Sequence, residues 1–269
     1  MAAEIHRRRA DLVIIAGDVS HRDDRIERAV RAFLEVAARV AYLPGNHDLW
    51  SIGGPEAVQG PVDTWIRYRQ DLRALVEGVG GHYLPAAPLR LGGLAVVGST
   101  GWYDYSFAPS WIADAHPELR FEDRRFGPVT WSDRRYVSFL RADGSEMSDP
   151  EVARIMEDEL SRALLEMEAD SSVEEVLVVT HVQPFDEVVH HTGRLPWEYF
   201  TAFMGSRRLG EIILSAPKVR TAIHGHSHVL RDEVIGGRRV YGTALGYPRE
   251  RRGMPLEEVL RSRIGWVEV

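Results

Sequence analysis

Leu12-Val13-Ile14-Ile15-Ala16-Gly17-Asp18 and, one helix-length later, Val40-Ala41-Tyr42-Leu43-Pro44-Gly45-Asn46-His47-Asp48 decide the fold of this chain. Each is a short apolar run that breaks at a glycine followed by ligand-type side chains. Such runs read as buried strands of a parallel sheet. Between them, Ile26, Val30, Phe33, Ala37 and Val40 recur at helical spacing, so residues 24–40 read as a helix with Asp23 or Asp24 as its N-cap. The result is a β-α-β unit, a right-handed crossover in a parallel sheet. The pattern recurs downstream. Val176-Leu177-Val178-Val179 runs into Thr180-His181, and Val219-Arg220-Thr221-Ala222-Ile223 runs into Gly225-His226-Ser227-His228. Four strands thus place Asp, Asn or His just past their ends, where ligand sites collect in open α/β sheets.

The remaining segments fill in around these strands. Residues 61–79 and 149–169 carry apolar stripes of helical period, and 207–216 makes a short helix. Gly92-Gly93 joins Leu89–Leu91 to Leu94–Val97 as a hairpin, and Gly236-Gly237 joins 229–235 to 238–244. Residues 264–267 read as a final strand. Residues 99–147 lose periodicity and are rich in aromatics, among them Trp102, Tyr103, Trp131 and Tyr136. This excursion either covers part of the site or fills a secondary core. His190 and His191 read as a solvent-facing loop pair rather than ligands.

One domain over residues 1–269 is expected, because the candidate ligands span Asp18 to His228. A hydrophobic fraction of 44% fits a globular core. Zero cysteines excludes disulfides and thiolate metal sites and agrees with a cytoplasmic location. There is no long apolar run, so no membrane partner is expected. The net charge of −7 disfavours a nucleic-acid coat, though a nuclease with a local basic groove stays open.

Asp18, Asn46, His181, His226 and His228 form a mixed oxygen and imidazole donor set. Such a set suits Mn, Fe, Zn or Co and does not choose among them. A carboxylate such as Asp18 can bridge two ions, which would activate a water and clamp a phosphoryl group. His47, next to Asn46, would protonate a leaving oxygen or stabilise developing charge.

Gly17-Asp18, Gly45-Asn46-His47-Asp48, Thr180-His181 and Gly225-His226-Ser227-His228, in that order, resemble the calcineurin-like metallophosphoesterase family over about residues 11–245. The resemblance implies a four-layer α/β/β/α sandwich around two divalent ions. It makes Asp18 the bridge, Asn46, His181 and His226 ligands of the second metal, His228 a ligand of the first, and His47 the catalytic histidine. It implies a hydrolase acting on a phosphodiester or phosphomonoester, with a small phosphoester or nucleotide as the favoured substrate.

The chain departs from the family at two places. The family opens with a strand ending in Asp-x-His, which supplies first-metal ligands, and a helix. Here about ten residues precede Leu12, so that strand and helix read as absent and residues 3–9 read as the tail of the helix. The first site then keeps only Asp18 and His228, and one bound ion is the expectation unless Glu4, His6 or a partner subunit substitutes. The alternative is a shortened or degenerate member acting as a non-catalytic scaffold. Second, Gly17-Asp18-Val19-Ser20-His21-Arg22-Asp23 breaks the protein-phosphatase pattern Gly-Asp-x-x-Asp-Arg-Gly at His21 and Asp23, leaving Arg22 as a candidate phosphate contact.

Overall fold

The computed structural model describes residues 10–52 and 62–268. Strand β1 (Leu12–Ile15) pairs in parallel with β2 (Arg39–Tyr42), which pairs in parallel with the two-residue β3 (His82–Tyr83). A second sheet is built from β4 (Leu89–Leu91), β5 (Leu94–Ser99), and strands from the second half of the chain. A small hairpin, β6 (Arg125–Phe126) and β7 (Val129–Thr130), stands apart in the excursion. The later strands are β8 (Glu175–Thr180), β9 (Val219–His224), β10 (Arg231–Ile235) and β11 (Arg238–Gly242). The second sheet has the order β10-β11-β9-β8-β5-β4, with β5, β8, β9 and β11 parallel and the outer strands antiparallel.

Two-residue alternation in the strands builds two cores. Ala41 and Leu43, Val96, Leu177 and Val179, and Ile223 face the space between the sheets with Leu84 and Leu89. The alternate residues, Val40 and Tyr42, Ala95 and Val97, and Val176 and Val178, face the helices. Helices α1 (Asp23–Leu34) and α2 (Leu72–Gly78) cover the first sheet, while α3 (Asp149–Ala169) and α4 (Arg207–Ser215) cover the second. Sheets flanked by helices on both sides give the α/β/β/α layering expected from the sequence.

Several boundaries differ from the sequence reading. The first helix stops at Leu34 rather than Val40, because Val40 belongs to β2 and the chain needs residues 35–38 to turn into that strand. The second helix begins at Thr64 and contains a π-helical turn over Arg67–Asp71, and Pro61 lies outside the described residues. Residues 264–268 form no strand; Val267 instead packs beside the inter-sheet core. The expectations for residues 3–9, including Glu4 and His6, also lie outside the described residues.

Candidate metal centre

The four strand ends converge as their parallel directions require. Asp18 lies three residues past β1, Asn46 four past β2, His181 directly after β8 and His226 two past β9. Gly17 (φ 93°), Asp18 (φ 59°) and His226 (φ 63°) all take the left-handed conformation. For Asp18 and His226 that conformation costs roughly 1–3 kcal/mol each, a strain that collects at functional sites. The β1 and β2 loops interlock through glycines: a Cβ on Gly17 would lie 2.5 Å from the Gly45 nitrogen. Asp48, fully buried, clasps both loops. Its Oδ2 accepts from the Asp18 N–H at 2.9 Å and the Gly45 N–H at 2.8 Å, and its Oδ1 accepts from the Ser20 N–H at 2.8 Å. Arg67 adds a second tie, donating to the backbone carbonyls of Asp48 at 2.6 Å and His21 at 3.2 Å.

Three of the four ligand-type side chains are held by one end. His181 Nδ1 donates to the Ala16 carbonyl at 2.8 Å, which turns Nε2 inward. His226 Nε2 donates to the Phe203 carbonyl at 2.9 Å, which turns Nδ1 inward. The Asn46 amide donates Nδ2 to Asp133, at 3.0 and 3.1 Å from its two oxygens, leaving Oδ1 inward. Four atoms with lone pairs then face one another. His181 Nε2 is 3.0 Å from Asn46 Oδ1 and 3.3 Å from Asp18 Oδ1. His226 Nδ1 is 3.2 Å from Asn46 Oδ1 and 3.3 Å from His181 Nε2. Neutral imidazoles in these tautomers bring only acceptors to that point, so a cation is what satisfies them. The mixed N/O set fits a transition metal, and the backbone-anchored histidines are the usual outer support of such ligands.

Charge agrees with this geometry. Burial and the neighbouring His181 push His226 down to about 4, which keeps it neutral and able to coordinate at pH 7. Burial raises the Asp18 carboxyl, but His181, His47, His226 and the His47 N–H outweigh it and hold it below the usual carboxylate range. Burial and the Asp18 charge push Asp48 up to about 6, against its N–H donors.

The other sequence candidates fall in three places. His47 is half-buried beside the cluster; its N–H donates to Asp18 Oδ1 at 3.0 Å and its ring stacks on Trp50, centroids 3.8 Å apart. His228 is not in the group formed by Asp18, His181 and His226; its Nδ1 bonds Glu250 at 2.7 Å and its ring packs on Tyr247. Arg22 lines a cavity of about 390 Å³ with His21, Trp50 and Arg67, but its guanidinium is engaged by Asp24 at 2.9 and 3.0 Å. His191 is occupied by Glu198 and Asp186, away from the cluster, and His190 packs beside Trp197. Sequence reading misses Asp133 and Trp50, whose only signal is three-dimensional. The aromatic excursion is divided between core and the neighbourhood of the cluster. Trp102, Tyr103 and Phe107 are fully buried core, and Tyr103 and Trp131 also lie 5.8 and 5.9 Å from the His226 ring.

Residues 2–230 match the calcineurin-like phosphoesterase family. The chain belongs to that family. It is a metallophosphoesterase hydrolase, and its family generally depends on a pair of metal ions. It is 25% identical over 251 residues to the acyl-carrier-protein phosphodiesterase PptH of Mycobacterium tuberculosis, spanning 90% of this chain and 71% of that protein. The crystal structure of that phosphopantetheinyl hydrolase superposes with a TM-score of 0.67 at 20% identity, covering 93% of this chain and 84% of the other. A dimetal phosphatase from Danio rerio aligns at TM-score 0.43 and 16% identity, over 90% of this chain and 74% of its own. No described helix is long and apolar enough to cross a membrane.

Proposed function

We propose that the chain hydrolyses a phosphodiester, with Asp18, Asn46, His181 and His226 holding a divalent ion and His47 assisting the leaving group. The observation that carries this reading is the convergence of four lone-pair donors within 3.0–3.3 Å of a neighbour, with His181, His226 and Asn46 fixed from behind. A bound ion at such a centre supplies an activated water and charge neutralisation for the phosphoryl group. The protein's own part is positioning. Asp18 anchors the His47 backbone, and Trp50 fixes the plane of the His47 ring beside the donors. From there His47 can give a proton to the departing oxygen. The cavity lined by His21, Arg22, Trp50 and Arg67 shares Trp50 with the support of His47, and we assign it to the leaving group. Its arginines are already matched by Asp23 and Asp24, so it favours shape and stacking over a strong anion grip.

A diester is favoured over a monoester because the relative that aligns over most of this chain is named as a phosphodiesterase. The test is turnover by the full chain loaded with Mn²⁺, on bis(p-nitrophenyl) phosphate, p-nitrophenyl phosphate and a phosphopantetheinylated acyl carrier protein. Diester cleavage lost in His47→Ala supports the proposal. Cleavage of the monoester alone would overturn the substrate class, and turnover unaffected by His47→Ala would remove that residue from the mechanism.

A further inference from the structure

We infer that Asp133 is a positioning residue of the metal centre: its buried carboxylate fixes which end of the Asn46 amide faces the other donors. This rests on the metal-binding reading above. The two ends of an amide are nearly equal in size, so hydrogen bonding alone decides which one points inward. A carboxylate is an acceptor only, and Asp133 meets Asn46 Nδ2 with both oxygens, at 3.0 and 3.1 Å. Among the described residues no other acceptor bonds that nitrogen. Asn46 Oδ1 is thereby committed to the cluster.

Asp133 is itself immobilised. It is fully buried and accepts from Trp50 Nε1 at 2.5 Å, Tyr103 Oη at 2.8 Å and Trp131 Nε1 at 2.8 Å. With Asn46 these donors use the capacity of one carboxylate. The three aromatic partners are not remote packing. Trp50 stacks under His47, and Tyr103 and Trp131 stand against His226. One side chain from the excursion therefore sets the amide donor and braces two histidines.

The experiment measures metal affinity on the full chain, stripped with chelator and titrated with Mn²⁺ by electron paramagnetic resonance and with Co²⁺ by visible absorption. Asp133→Asn places an amide where its NH₂ can turn the Asn46 carbonyl outward. Affinity is expected to fall by roughly 10–100-fold, the usual effect of losing an outer partner of a metal ligand. Asn46→Asp in the same chain should recover most of that loss, since a carboxylate offers oxygen from either end and the new amide at position 133 can then donate to it. Asn46→Asp alone, which sets two carboxylates face to face, should bind more weakly than the pair. A packing role for Asp133 predicts no such recovery. Wild-type affinity in Asp133→Asn, or no recovery in the double variant, overturns the inference while leaving the metal centre standing. If Asp133→Asn does not fold by circular dichroism, Asp133→Ser, which leaves room for water, takes its place with the same criteria. A wild-type chain that takes up neither ion overturns the metal reading and this inference together.

Discussion

Two imidazoles and one amide in this chain are each tied by one end so that the other is free, and that is the chemistry of the site at the residue scale. His226→Ala removes a donor outright and should weaken metal binding by more than the roughly 10–100-fold that loss of an outer partner costs, read by the same Mn²⁺ titration. His47→Ala leaves the four donors in place, so metal binding should survive while kcat falls by about 10²–10⁴-fold, the range for a proton-transfer group. Loss of both together would show that His47 belongs to the donor set instead. His224 gives a separate prediction. It is fully buried, its Nε2 has no hydrogen-bond partner among the described residues, and burial pushes it down to about 4. As pH falls below its ordinary value of about 6.5, the unfolded chain takes up a proton that the folded chain refuses until about pH 4. Stability of the metal-free chain should therefore fall with acid across that window, by up to about 1.4 kcal/mol per pH unit from this group. Urea unfolding of His224→Leu between pH 4 and 7 should show a flatter dependence than wild type, and an unchanged slope would clear His224 of the effect.

Asp18, Asn46, His181 and His226 are legible in the sequence because each closes an element whose pattern is local. Asp133 is not, because it acts on Asn46 from 87 residues away and sits in a stretch without period. The same contrast governs whole elements. The 149–169 helix follows from its apolar stripe, and the structure adds a Ser148–Glu151 capping box with Pro150 in the first turn. The end of α1 escapes the pattern because Val40 satisfies helical and strand periods alike, and only sheet pairing decides between them. The excursion is attached at the start of α3, where fully buried Asp149 accepts from Trp102 Nε1 at 2.6 Å, Tyr105 Oη at 2.8 Å and the Arg124 guanidinium. Removing one partner of a buried ion pair costs about 3–5 kcal/mol. Asp149→Ala should lose that much in denaturant unfolding and expose the excursion to protease before the sheets. A loss below about 1 kcal/mol, the range of an exposed pair, would mean the excursion is held by its aromatics alone.

Across the whole molecule, the donors divide evenly between the two halves of the sandwich. Asp18 and Asn46 follow strands of the three-stranded sheet, and His181 and His226 follow strands of the six-stranded one. Among the described residues the core between the sheets is small, eight buried residues around Leu43, Val96 and Leu177, whereas the helix-facing core is far larger. Without a cation the strand ends of the two sheets bring lone pairs together at 3.0–3.3 Å, which opposes their approach at the site. With a cation the same atoms become a cross-link between sheets. Metal binding is therefore expected to act as a stability switch for the sandwich as well as a requirement for turnover. An ion at 100 times its dissociation constant contributes about 2.7 kcal/mol, and a chain of this size gains about 2–4 °C per kcal/mol. Mn²⁺ or Zn²⁺ should thus raise the melting temperature by roughly 5–10 °C on those relations, reversibly with chelator. Because the cross-link needs a donor from each sheet, Asn46→Ala and His226→Ala should each abolish the rise, although one residue belongs to either half. A rise that persists in both variants would place the stabilising ion elsewhere, and the absence of any rise in the wild type would mean that the sheets hold together without help from the site.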